Sequence, residues 1–140
     1  MRKWFSKSVA VGISLSALSA PAAALDIWHS DTIWGGQGIC VATFTLDSGG
    51  DSISRLSIGI TASDRKGESV GAFVLEVPDF GASNAERYAT ATWESEAACE
   101  EDLTLSITAA HAVIDNQRIN LLKESRLTTR DFKPFKIQLK

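Results

Sequence analysis

From Cys40 onward apolar side chains return at every second residue, and this period constrains the fold more than any other property of the chain. Cys40, Ala42, Phe44 and Leu46 alternate with Val41, Thr43 and Thr45. Leu56, Ile58, Ile60 and Ala62 alternate with Ser57, Gly59 and Thr61. Leu103, Leu105, Ile107 and Ala109 alternate with Thr104, Ser106 and Thr108, and His111 shares the parity of that apolar series. Successive side chains of a strand point to opposite faces, so each run predicts a half-buried strand. Residues 70–77 form another, with Phe73, Leu75 and Val77 on one face and Pro78 as its stop. Residues 88–93 set Ala89, Ala91 and Trp93 against Tyr88, Thr90 and Thr92. Helical periodicity is nearly absent.

Turn chemistry separates these runs. Asp47-Ser48-Gly49-Gly50-Asp51, Asp64-Arg65-Lys66-Gly67 and Asp115-Asn116-Gln117 supply the residues that favour tight turns, the last leading into residues 118–122. At the front, residues 26–34 read as a first strand or extended arm, and Gly35-Gly36-Gln37-Gly38 as a hinge or tight bend. At the back, residues 123–131 read as a flexible loop. Residues 132–139 read as a last strand with Phe135, Ile137 and Leu139 on one face. Seven or so short strands predict an all-β fold, an antiparallel β-sandwich of the immunoglobulin or fibronectin III-like kind, with a small barrel as the alternative.

Residues 1–24 have the layout of a secretory signal peptide. Arg2, Lys3 and Lys7 precede a short apolar run, and Ala22-Ala23-Ala24 ends it as a cleavage site. The run is shorter than the roughly 20 residues a membrane span needs. The expected product is therefore one exported domain, residues 25–140, periplasmic or extracellular. Without the leader the chain has eleven basic and seventeen acidic residues, a net charge of −6. Nucleic acid is an unsuitable partner for such a surface, because phosphate binding requires a clustered basic face. The charge is also uneven: residues 25–117 hold four basic and fifteen acidic side chains, and residues 118–140 seven basic and two acidic.

Export gives the cysteines their meaning. Cys40 and Cys99 are an even pair in an oxidising compartment, which favours one intramolecular disulfide over a redox-active or intermolecular pair. Metal binding is the weaker reading, since a zinc site takes about four ligands and two thiols with His29 and His111 show no paired spacing. No metal and no cofactor is expected. Cys99 falls in the acidic loop before Leu103 rather than within a strand, so the bridge is expected to tie a strand end to a loop.

Catalytic chemistry has few carriers. A Ser-His-Asp site would need His29 or His111, and the adjacency of His29 to Ser30 and Asp31 is not how triads are assembled. The glycines around position 36 lack the spacing and following helix of a phosphate loop. Glu94, Glu96, Glu100, Glu101 and Asp102 lack the alternating Asp-x-Asp pattern and glycine of a calcium loop, and read as a solvated loop. Trp28 and Trp34 load a terminal segment with apolar surface; this reads either as packing over the open end of the core, the more usual place for an aromatic in a domain of this size, or as a binding surface, since tryptophan is favoured in interface hot spots.

The leader, the domain size, the segment from Trp28 to Gly38 running into Ile39-Cys40-Val41-Ala42-Thr43-Phe44, the turn Leu46-Asp47-Ser48-Gly49 and the single cysteine pair together resemble the IrmA family of small secreted bacterial proteins. That resemblance implies a fibronectin III-like fold, a non-catalytic protein-binding module, a homodimer formed by exchanging strands, and cytokine binding in pathogenic members. It carries no contact residues onto this chain. Two further readings stand beside it: a periplasmic inhibitor of a cationic enzyme such as a lysozyme or protease, and a small hydrolase built on His29 or His111.

Overall fold

The computed structural model describes residues 24–140 together with Gly12, so the expected leader falls outside the described residues apart from Gly12 and Ala24. Nine strands follow in order: β1 (Leu25–Gly36), β2 (Ile39–Asp47), β3 (Ser54–Ser63), β4 (Ser69–Val77), β5 (Tyr88–Ser95), β6 (Thr104–Ile114), β7 (Gln117–Asn120), β8 (Leu127–Thr129) and β9 (Lys136–Leu139). One sheet has the order β5-β2-β1-β8. The other has the order β4-β3-β6-β7, with β9 also on β6. The two sheets form a sandwich around one hydrophobic core.

The period-two runs account for the core almost residue by residue. Cys40, Ala42, Phe44 and Leu46 of β2 are buried, as are Leu56, Ile58, Ile60 and Ala62 of β3. Ala91 and Trp93 of β5 and Leu75 and Val77 of β4 belong to the same core. Aromatic rings run across the middle of the sandwich: Trp93 stacks on Phe73 at 4.3 Å, Phe73 on Phe44 at 6.3 Å, and Phe44 meets Phe132 at 5.8 Å. Aromatic pairs in such geometries add about 0.5–1.5 kcal/mol each beyond their buried area.

The glycine-rich segment after β1 is a tight hairpin turn, not a hinge. Gln37 and Gly38 both adopt positive φ, 53° and 77°, the condition for a two-residue connection whose twist matches its strands. Asp115 and Asn116 do the same between β6 and β7, with φ of 53° and 61°.

Three expectations need correction. In β6 the parity breaks after Ile107, where the register slips between the pairs Gly59↔Ala109 and Ile60↔Ile107. An extra residue in a bulge turns every later side chain to the other face. Ala110, Ala112 and Ile114 therefore enter the core, while Ala109 and His111 turn away from it. The segment 123–131 is not a free loop: Leu127, Thr128 and Thr129 pair with Leu25, Asp26 and Ile27 of β1. This pairing is parallel, as is that of β9 with residues 104–107 of β6, so the sheets are not purely antiparallel. Finally, the last strand begins at Lys136 rather than Phe132. Phe132 and Phe135 are both buried, which a continuous strand would prevent by sending residues of opposite parity to opposite faces. A turn closed by a bond from the Phe135 N–H to the Phe132 carbonyl at 2.7 Å brings both rings inward.

Candidate binding face

The outward face of the β5-β2-β1-β8 sheet is built from the polar partners of the core residues. Cross-strand pairs share a face, and the ladders align Trp28 with Thr45, Thr45 with Thr90, and Thr43 with Thr92. The result is a level surface of threonine side chains, with Trp28 and Tyr88 toward the end where β2 meets Ser48. Tyr88 is 57% exposed, and its ring meets Trp28 edge to face at 6.3 Å.

Two arginines complete this aromatic pair. The guanidinium of Arg130, just past β8, lies 4.0 Å over the Trp28 ring, and that of Arg87, just before β5, lies 5.6 Å from the Tyr88 ring centre. Each is held from behind by a carboxylate. Asp47 accepts from Arg87 Nε at 2.8 Å and from Nη2 at 3.0 Å, a forked pair that fixes the guanidinium plane. Arg130 pairs through Nε with Asp26, and its Nη2 lies 4.0 Å from Asp47. The hydrogen bonds from Arg87 hold the Asp47 carboxyl below its ordinary range; burial opposes this, and the Gly49 N–H and the charges of Arg87 and Arg130 reinforce it. Asp47 in turn keeps Arg87 charged by raising its pKa. The loop before β5 is seated by Gly81, whose φ is 87° and where a Cβ would sit 2.1 Å from the Asp51 carbonyl oxygen.

This arrangement presents aromatic and guanidinium surface whose rotamers are already fixed. Tyr, Trp and Arg dominate interface hot spots because they bring large contact area, and fixing them beforehand lowers the entropy lost on binding. Trp28 was legible in the sequence as a binding candidate. Tyr88, Arg87, Arg130 and Asp47 were not, because they come from β5, β2 and the end of β8 and meet only through the sheet order.

Trp34 lies elsewhere. It pairs with Cys40, whose side chain is on the opposite face of β2 from Thr45, and it is 72% exposed at the far end of β1. The two tryptophans thus form no common patch. Beside Trp34 lies the disulfide: Cys40 at the start of β2 is bridged to Cys99 in a short turn after β5, with the Cα atoms 5.1 Å apart. The bridge does tie a strand end to a loop. Glu100 and Glu101 are exposed there, and Asp102 pairs with Arg65.

The histidines have separate settings. His29 donates from Nδ1 to the Lys133 carbonyl at 2.8 Å, which leaves Nε2 to accept from the Thr32 hydroxyl at 2.6 Å. Its ring packs on the edges of Phe135 and Phe44, at 5.0 and 5.8 Å. It fastens β1 to the Phe132–Phe135 turn. His111 lies on the other sheet, aligned with Ser57 and Asn120. Among the described residues no group of three or more His, Cys, Asp or Glu side chains is placed to hold a metal ion, and no helix is long and apolar enough to cross a membrane. The basic C-terminal region meets the acidic body of its own chain, through Arg126 on Asp51 and Arg130 on Asp26.

Comparison with known proteins adds two findings. The family model for IrmA, interleukin receptor mimic protein A, matches residues 25–129, from the first residue of β1 to the last of β8. The solved structure described as the structural characterization of IrmA from Escherichia coli is similar at 32% identity, covering 79% of this chain and 94% of that one, with a TM-score of 0.64. No curated protein matches the chain. With the sandwich, its disulfide and both matches in agreement, the chain belongs to the IrmA family.

Proposed function

We propose that the protein is an exported, non-catalytic binding module that engages a protein partner through the outward face of the β5-β2-β1-β8 sheet. The observation that carries this reading is the fixed row Arg130, Trp28, Tyr88 and Arg87, held by Asp26 and Asp47. The description of its family as an interleukin receptor mimic supports a protein partner of the interleukin class. The disulfide fits an oxidising compartment, periplasmic or extracellular. Surface plasmon resonance against a panel of interleukins tests the reading. Trp28→Ala or Tyr88→Ala is expected to weaken the best binder at least tenfold, about 1.4 kcal/mol. Binding untouched by both, or no binder in the panel, refutes it.

The same reading includes a homodimer that exchanges terminal strands. Its support is the modest hold on β8 and β9, parallel ladders of three and four pairs that a second copy can supply identically. Sedimentation at tens of micromolar tests it, and a strict monomer refutes it.

A second reading, inhibition of a cationic enzyme, is favoured by the charge at one end of the sandwich. Residues 31–38, 64–68, 94–102 and 131–136 carry nine acidic and four basic side chains. Salt-sensitive inhibition of a lysozyme would separate it from the first.

A further inference from the structure

The far half of β1 ends in an open strand edge. On that side β8 pairs with Leu25, Asp26 and Ile27, and the Arg130 N–H and Asp131 carbonyl extend the cover to Ile27 and His29. Past the register irregularity at Ser30, among the described residues 31–36 pair with β2 alone. Free edges are usually blunted by lysine, proline or a covering segment. Residues 31–36 hold neither lysine nor proline, and no further strand pairs with them among the described residues; Asp31 is their single charge, and Ile33 and Trp34 are 57% and 72% exposed.

Its two faces differ in chemistry. Thr32 and Trp34 pair with Ala42 and Cys40 and so point to the core side of the sheet, where a cleft of about 550 Å³ opens beyond the core. Its charged lining is Asp31, Glu100, Glu101, Asp131 and Lys133, four carboxylates against one ammonium. The Cys40–Cys99 bridge fixes the loop bearing Glu100 and Glu101 against the β1–β2 hairpin. Ile33 borders the cleft as well, but it pairs with Val41 and so belongs to the other face of the sheet.

We propose that residues 31–36 of β1 are a docking edge that takes up an extended segment of a partner protein, basic and apolar residues alternating, as an added strand. Backbone bonds along the edge supply affinity, and the period of two sorts the side chains. Lysine or arginine side chains enter the cleft toward Glu100, Glu101 and Asp131, with their stems or charges over the Trp34 ring. Apolar side chains of the opposite parity lie against Ile33. Six residues span about 20 Å, enough to pair a segment of five or six residues. The excess of acidic groups at this end steers such a segment inward at low salt. This site does not depend on the outward face around Trp28, and Trp28→Ala leaves it intact.

The test is a titration of the oxidised, 15N-labelled protein with an end-blocked octapeptide alternating lysine and valine. The expected result is amide shifts and slowed hydrogen exchange at residues 31–36 and 99–101. Affinity is expected to fall about tenfold in Trp34→Ala and at least tenfold in Glu100→Lys/Glu101→Lys, and to weaken as salt rises. Both variants change exposed side chains outside the core, so the fold is retained and can be checked in the same spectra. The proposal is overturned if millimolar peptide leaves residues 31–36 unmoved, or if an alternating glutamate–valine peptide binds equally well. It is also overturned if the edge is already protected in the free protein and loses that protection on dilution, which would make a second copy its occupant.

Discussion

Replacing both Cys40 and Cys99 with alanine removes a cross-link between residues 59 apart in sequence. In the folded protein the two positions stay close without it, because Cys40 already pairs with Ser95 in the β2–β5 ladder, shortly before Cys99. The loss therefore falls mainly on the unfolded chain, which regains the freedom of a long closed loop. For a loop of this length the chain-entropy relation gives about 4 kcal/mol. With an unfolding entropy of about 2.1 cal/mol/K per residue, the midpoint of thermal unfolding of residues 25–140 should fall by about 15 °C. Guanidinium unfolding of the oxidised protein and the Cys40→Ala/Cys99→Ala variant measures this directly. The variant should also show a steeper denaturant dependence, because its released unfolded chain exposes more surface. A stability loss below about 1 kcal/mol would refute the reasoning, since the bridge would then be constraining a chain already held together in the unfolded state.

Phe44, fully buried between Phe73 and Phe132, should cost about 3–5 kcal/mol on replacement by alanine, read by denaturant unfolding. Asp47 has a folded pKa below its unfolded one, so its stabilising contribution is present above the unfolded carboxylate value and is lost as pH falls through the lowered folded value. Stability of the wild type should accordingly drop below about pH 4 more steeply than that of Asp47→Asn, in parallel unfolding titrations. His29→Ala removes the bonds to Lys133 and Thr32 and should destabilise by about 1–3 kcal/mol, with faster hydrogen exchange at the Lys136 and Lys140 amides that bond Leu103 and Ile107. Deleting residues 136–140 should leave a cooperative fold, whereas ending the chain before Phe132 should not, because Phe132 and Phe135 are core residues; circular dichroism melts distinguish the two.

The strands most clearly legible in the sequence are those whose cross-strand neighbours add nothing to the pattern. β2, β3 and β5 alternate along most of their length, and their buried apolar residues are the ones the alternation selects; only Asp47, buried beside Leu46 at the end of β2, falls outside it. β6 reads correctly as far as Ile107; past it the bulge opposite β3 reverses the parity, and a bulge is a property of the pair rather than of one strand. β8 left no signal because Leu-Thr-Thr is too short to show a period. Phe132 misled for a related reason: its partners Phe44 and the rest of the ring series are distant in sequence, so burial of both Phe132 and Phe135 becomes visible only once the sandwich is closed. The candidate face divides in the same way. Trp28 carries its own signal, whereas the arginines above and beside it are ordinary charged residues until Asp26 and Asp47 orient them.

The most direct test of the binding account follows the threonine methyl groups of the outward face by NMR while the tightest-binding interleukin of the panel is added. The account predicts shifts centred on Thr43, Thr45, Thr90 and Thr92, together with the Trp28 indole, and little change at Thr61 and Thr108 on the other sheet. Shifts centred on the β4-β3-β6 sheet instead, with Trp28 and its threonine neighbours unmoved, would contradict it.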